Sequence, residues 1–306
     1  MSLAAKLPWT HRFSGGYPGL SSQALPTDAD ALDYLSRMAT ADGAGVETGV
    51  AVAVDAFFRG LKATPGLFDA IKASCILCGA RTLAGALVPI VGDAPTNVAN
   101  GFVSGDYSRT SGLTGDGTSY LDSGRAADDD PQNDKHISAY ITITAPPAAN
   151  ALFGNLNGST EGSQIYIDNV TGNTFYRVNA ASSFSESAAA ATGLNAVVRS
   201  GSAEFSYIRS ETVSTETSAS VSPTSENIWI FARNAPPPNP DFAITTATIA
   251  FYSIGTSLSL EDLDTAVTNL INRLKFAILV GENPSGLDPD TIDYIVRGYE
   301  AGGSLE

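Results

Sequence analysis

The spacing of apolar residues along the chain changes near Thr82 and again near Ser259. Before the first change the period is helical. Leu32, Leu35 and Met38 recur behind Thr27, a residue able to cap, with Asp28 and Asp30 in the first turn and Gly43 and Gly45 ending the run. Val50, Val54, Phe57, Phe58 and Leu61 then fall on one helical face that stops at Pro65-Gly66. Leu67, Ile71, Cys75 and Cys78 repeat that spacing. Residues 27–80 are therefore expected to form a small helical subdomain.

From Thr82 to about Gly255 the period shortens to two and Thr, Ser, Gly and Asn become frequent. Ile137, Ala139, Ile141 and Ile143 alternate with Ser138, Tyr140 and Thr142, as in a strand buried on one face. Ile165 and Ile167 lead into the turn DNVTGN, and TFYRV returns. Val197-Val198, Ser200-Gly201-Ser202 and EFSYIR form a second hairpin signal. NIWIF (227–231) and TIAFYSI (248–254) are further strands, and Pro236-Pro237-Pro238 with Pro240 is a surface loop. Many short strands separated by turns predict a mainly β fold: an antiparallel β-sandwich (jelly roll) preceded by the helical subdomain and followed by helices.

Ser259 opens the last long helix, with Leu260, Leu263, Val267, Leu270, Ile271 and Leu274 as its stripe. After a linker at 283–287, Asp288 and Pro289 fit the start of a short helix bearing Ile292, Ile295, Val296 and Tyr299 on one side. At the other end, residues 1–26 carry Trp9, Phe13, Tyr17 and Leu20 among glycines and prolines, which suits an arm and not a core. The expected division is an arm (1–26), a helical subdomain (27–80), a sandwich with its closing helix (81–280), and a linker with a terminal helix (281–306). Neither terminal segment can build a core of its own. Trp9, Phe13, Tyr17, Ile292, Ile295 and Tyr299 are therefore the candidate assembly contacts.

Charge narrows the partners. Thirty-two Asp and Glu against 17 Lys and Arg give a net charge of −15, with no basic run to offset it, which disfavours nucleic acid and anionic lipid. Lys6, Pro8 and His11 interrupt any signal-like apolar core, and no run approaches membrane-spanning length. Synthesis in a cytoplasm, with no export signal and no membrane insertion, is the expectation.

Little catalytic chemistry is legible. Cys75 and Cys78 lack further ligands at zinc spacing, the only histidines being His11 and His136, so both are expected in the core without metal. Asp128, Asp129, Asp130 and Asp134 could offer oxygen ligands to calcium but lack the glycine and distal Glu of an EF-hand loop, so a solvated loop is expected. No G-x-S-x-G elbow occurs, and no strand shows the alternating acidic residues of a glucanase site. No cofactor is implied and the chain is not expected to be an enzyme. Trp229, Tyr166 and Tyr207 could stack on a sugar ring, although in strands such residues commonly pack in the core.

Two segments together carry a family likeness: TSGLTGDGTSYLDSG (110–124) and TIAFYSIGTSLSLEDLDTAVTNLINRL (248–274). The pair resembles the concanavalin A-like lectin/glucanase sandwich, in the laminin-G-type form found in tail and other structural proteins of bacteriophages, including phages of cyanobacteria. The stretch from DYLSRMATADG to VAVDAFFRGLKA is similar to the lead-in of those proteins. The likeness covers about residues 30–280. It implies a tail, fibre or capsid-surface protein of the virion, made in the host cytoplasm. Such a protein would assemble with other virion proteins or copies of itself and present the sandwich to a host glycan or protein. A free carbohydrate-binding lectin and a glycan-degrading enzyme are the alternatives.

Overall fold

The structure is a computed structural model. It describes residues 25–98, 101–145, 150–157, 161–167, 173–180, 184–186, 191–235 and 245–282. The candidate assembly residues Trp9, Phe13, Tyr17, Ile292, Ile295 and Tyr299 lie outside the described residues, as do His11, the turn DNVTG and the proline run at 236–240.

Helix α1 (Ala29–Asp42) is capped by Asp28, one residue later than expected, whose carboxylate accepts the N–H groups of Asp30 and Ala31. The N–H groups of Thr27 and Asp28 are held instead by Asp55, at 2.7 and 2.8 Å. Gly43 ends the helix at φ 66°, the left-handed position where glycine has no steric penalty. Its buried face is Ala31, Tyr34, Leu35 and Met38, whereas Leu32 is exposed. Helix α2 (Thr48–Ala63) buries Val50, Val54, Phe57, Phe58 and Leu61 as its period requires. Two four-residue helices follow, α3 (Leu67–Ala70) and α4 (Leu83–Ala86). The last helix, α5 (Leu260–Glu282), has the Ser259 hydroxyl accepting the Asp262 N–H and buries its whole stripe from Leu260 to Leu274.

The third expected helical run breaks after one turn. Ile71–Ile76 is strand β1, paired antiparallel with the strand 248–255. Residues 27–80 are thus not wholly helical, because their end enters the sheet. The remaining strands are β2 (Pro89–Val91), β3 (Thr96–Val98), β4 (Tyr107–Ser108), β5 (Gly112–Thr114), β6 (Tyr120–Ala126), β7 (Lys135–Ile143) and β8 (Asn150–Asn157). Then come β9 (Glu161–Ile167), β10 (Thr174–Ala180), β11 (Phe184–Glu186), β12 (Gly193–Arg199), β13 (Glu204–Arg209) and β14 (Thr212–Thr217). The last are β15 (Asn227–Ile230), β16 (Arg233–Asn234) and β17 (Thr248–Gly255).

They form two sheets. One has nine strands with the main order β14-β13-β12-β7-β17-β1-β2, and the other has eight with the order β11-β10-β9-β8-β15-β6-β3. Pairing is antiparallel except for the short β16, which runs parallel to β8. The hairpins β9–β10 and β12–β13 pair as the turn signals predict. The fold is therefore an antiparallel sandwich with helices before and after it.

Two cores result. Between the sheets lie Ile137, Ala139, Ile141, Phe153, Ile165, Tyr176, Tyr252 and Ile254, among others. On the outer side of the nine-stranded sheet, Phe251, Leu194, Ala196 and Ile208 meet α1, α2 and α5. Strand β7 is consequently buried on both faces. Ser138, expected on a solvent side, is fully buried, while Ile143 at the strand end is 54% exposed. The cysteines are buried, but strand geometry separates them: Cys75 faces the inter-sheet core and Cys78 joins the helical core. Phe251 packs edge-on against Phe57 at 6.0 Å and ties sheet to helix.

Two substitutions test this packing by urea unfolding. Phe251→Ala should cost about 3–5 kcal/mol, the range for a truncated core aromatic. Gly154→Ala should cost about 2 kcal/mol or more, since Gly154 has φ 144° and a methyl group there would run into the backbone of Ser163 and Gln164. An unchanged midpoint for either would contradict the packing described.

Candidate functional site

The eight-stranded sheet has one face in the inter-sheet core, and no described helix covers the other. Register decides what stands on that open face. Thr96, Asp122, Trp229, Gly154, Gln164 and Arg177 are successive cross-strand partners on β3, β6, β15, β8, β9 and β10, so they form one transverse row. Their chain neighbours Leu121, Ile230, Phe153 and Ile165 point into the core. Two residues along, toward the same end of the sheet, stand Tyr120 on β6, Tyr166 on β9 and Phe175 on β10.

The face is rich in rings. Tyr120 and Trp229 are stacked with centroids 4.1 Å apart, and Tyr166 lies 6.0 Å from Phe175. All four are half-buried. Between the two pairs lies Arg233 of β16. The chain turns back at Phe231, at φ 71°, and sets Arg233 beside Gly154, where no side chain competes for space. Its Nη1 donates to Gln164 Oε1 at 3.1 Å and its guanidinium lies 5.2 Å from the Tyr166 ring centroid. Asp122 accepts from Asn227 Nδ2 at 3.0 Å and from the Gly124 N–H at 2.9 Å. The result is a platform of half-buried rings beside half-buried Asp122 and Asn227, while Gln164 and Arg233 between the ring pairs are buried, at 4% and 8% exposure.

Of the three aromatic residues singled out from the sequence, Trp229 and Tyr166 share this platform. Tyr207 does not: it is buried between the sheets, stacked on Tyr176 at 4.7 Å and on Phe184 at 5.0 Å. Tyr120, Phe175, Gln164 and Arg233 were missed. Tyr120 lies in the motif GDGTSYL, but its sheet face depends on a pairing that the motif does not contain. The motif's own polar residues are structural: Asp116 accepts the N–H groups of Thr118 and Ser119, both at 2.6 Å, and the Ser119 hydroxyl.

The acidic run is not a freely solvated loop. Asp130 is buried and bonded to Arg125 at 2.6 Å, Asp129 accepts the Ala126 N–H, and Asp134 accepts the Ser257 N–H; Asp128 is exposed. Among the described residues no group of three or more His, Cys, Asp or Glu is placed to hold a metal ion. Burial pushes the Cys75 and Cys78 thiols up to about 12, so both are protonated at neutral pH and poor as ligands or nucleophiles. His136 is fully enclosed, its Nδ1 at 2.6 Å from the Thr256 carbonyl and its Nε2 at 2.9 Å from the Ser253 hydroxyl. Beside it Lys135 donates to the Ala127 carbonyl at 2.6 Å, and burial pushes its ammonium down to about 8. A separate open cleft of about 640 Å³ lies between Gln132 and the segment from Ser220 to Glu226, walled by hydroxyls and amides and holding no aromatic ring. No helix among the described residues is long and apolar enough to cross a membrane.

No protein-family model and no curated protein matches the chain. Solved structures share part of it. The CBM40 module of Ruminococcus gnavus IT-sialidase, bound to α2,3-sialyllactose, aligns at 14% identity and TM-score 0.37, over 51% of this chain and 94% of that one. The binding domain of botulinum neurotoxin serotype D aligns at 12% and 0.39, over 64% and 50%. Domain 4 of AbnA, an arabinanase of Geobacillus stearothermophilus in complex with arabinotriose, aligns at 10% and 0.36, over 57% and 82%. At such identities and scores the likeness assigns no ligand, and the sandwich described above rests on its own strand pairing.

The enclosed histidine gives a pH test. Burial, opposed by the hydrogen bond to Thr256, pushes His136 down to about 4, so it stays neutral in the folded protein where the unfolded chain takes up a proton at an ordinary value near 6.5. Because the unfolded state binds more protons in that window, stability should be full above about pH 6.5 and fall toward about pH 4. Urea midpoints at several pH values check this against His136→Asn, which should lose part of the decline. Parallel curves for the two proteins would refute it.

Proposed function

We propose that this chain is a glycan-binding β-sandwich carried on the surface of a bacteriophage particle. The platform of Trp229, Tyr120, Tyr166 and Phe175 around Arg233 and Gln164 would be its ligand face. The observation that carries the glycan assignment is chemical. Flat rings offer apolar faces to the C–H side of a sugar, and the half-buried Asp122 and Asn227 beside them can bond its hydroxyls. Helices α1, α2 and α5 cover the outer side of the nine-stranded sheet around β12 and β17, whereas no described helix covers this face. No catalytic step belongs to the proposal, because His136 is sealed in the core and the cysteines are protonated.

The particle assignment has a different support: the motif pair at 110–124 and 248–274 with the helical lead-in before it. In that setting the segments 1–26 and 281–306 serve assembly with other virion proteins or with copies of this chain. Burying one large apolar side chain contributes about 1.5–3 kcal/mol, so a few anchors such as Trp9, Phe13 and Tyr17 can hold an arm against its ordering entropy.

Trp229→Ala should weaken binding on a glycan array or in calorimetry by about tenfold, a loss near 1.4 kcal/mol. Tyr207→Phe, which keeps the core ring, should bind like the parent. Equal binding by Trp229→Ala and the parent would remove this face from consideration. Separately, deleting residues 1–26 should leave a folded sandwich, by circular dichroism and thermal unfolding, that incorporates poorly into particles. Incorporation equal to that of the full chain would dismiss the arm's role.

A further inference from the structure

A strand at the end of a sheet leaves a row of N–H and C=O groups that another strand can pair. Most ends of the two sheets are kept short. Strands β2, β3 and β11 have three residues each, and the side strands β4 and β16 have two. Strand β14 (Thr212–Thr217), which ends the nine-stranded sheet, is different. It has six residues, no Lys, Arg or Pro, and six successive pairs with β13 without a bulge. Apart from the single charge of Glu216, the features that commonly blunt an edge are absent from it.

The hairpin turn fixes which groups face outward. Ser210 and Glu211, at φ 48° and 62°, form a two-residue turn, so Arg209 and Thr212 close it as a hydrogen-bonded pair. Alternation then sends the N–H and C=O groups of Val213, Thr215 and Thr217 away from β13, and no hydrogen bond among the described residues reaches them. Thr212, Thr215 and Thr217 are exposed.

From this edge we infer that two copies of this chain associate through β14, antiparallel about a twofold axis at Thr215, into one continuous sheet. The occupant is a second copy because the edge fits itself. With Thr215 opposite its own counterpart, Val213 meets Thr217 of the other copy, and the outward groups of all three residues are paired in about six hydrogen bonds. Glu216 then stands opposite Ser214 of the other copy, whereas a register centred on Glu216 would set two carboxylates against each other. Such an axis runs perpendicular to the joined sheet, so both copies carry their eight-stranded sheets on the same side. The pairing does not depend on the glycan assignment; where both hold, the two ring platforms meet a glycan-bearing surface together. One edge buries less than the roughly 1,200–2,000 Å² of a standard interface, so the dimer is weak and concentration-dependent. The net charge of −15 on each copy opposes it, so added salt should raise the dimer fraction.

Sedimentation velocity of the full-length protein from about 1 to about 200 μM reads the association, which should grow with concentration. Thr215→Pro removes one outward N–H without touching the β13 ladder and should lower the association constant by about tenfold or more. Thr215→Lys sets two ammonium groups against each other across the axis; it should do the same, and it keeps the test open should the proline variant unfold. Ser36→Lys makes the same charge change at an exposed position of α1 and should associate like the parent. A protein that stays monomeric throughout the range overturns the inference, as does association unchanged in the folded Thr215 variants. Association lost on deleting residues 1–26 but kept in Thr215→Lys assigns the contact to the arm and overturns it too.

Discussion

Phe251 and Tyr252 are neighbours in β17, yet one packs against Phe57 in the helical layer and the other lies in the core between the sheets. That double burial constrains the whole molecule. A central strand with large side chains on both faces needs cover on both, and α1, α2 and α5 supply one cover while the eight-stranded sheet supplies the other. Close fits show how tightly the layers are held. A methyl group on Gly255 would meet the backbone of Ala70, and one on Gly49 would press on Ala277 of α5 at 2.9 Å. The helices are therefore not a separate appendage. They form the third layer of one stacked structure.

The same constraint divides the molecule by role. Around β7 and β17 the nine-stranded sheet is committed to packing, and polar residues there are drawn inward and bonded to one another, whereas β14 at its edge keeps Thr212, Thr215 and Thr217 exposed. Ser138 and Ser253 are 2.7 Å apart and His136 completes the group. Such a network holds register, but it is closed to any ligand. The eight-stranded sheet keeps one face clear of the described helices, and there half-buried rings stand beside Asp122 and Asn227, with Arg233 and Gln164 buried between them. The proposed ligand face is placed there because the half-buried rings cluster there.

The helices α1, α2 and α5 were legible because their apolar period is local: each stripe is set by residues within a few turns. The strands, hairpins and sandwich class were legible for the same reason, since alternation and turn residues are properties of short segments. Leu67 to Cys78 shows where this stops. The spacing there fits a helix, but pairing of Ile71–Ile76 with β17, distant in the chain, is stronger than the local preference. The alternation in β7 likewise signalled one buried face, and the helices that cover its second face are encoded elsewhere.

Composition and periodicity by themselves determined that the chain is acidic, mainly β, flanked by helices and poor in catalytic groups, because each of these is a sum or a local pattern. They also marked Trp229 and Tyr166 as ring-bearing positions. Only the tertiary structure decided that these two share a face while Tyr207 goes to the core, that Tyr120, Phe175, Gln164 and Arg233 join them, and that Asp130 is paired inside instead of solvated. Each of those outcomes depends on which strand lies next to which, and in what register. Register is fixed by packing among residues far apart in the chain, so no local stretch of sequence contains it.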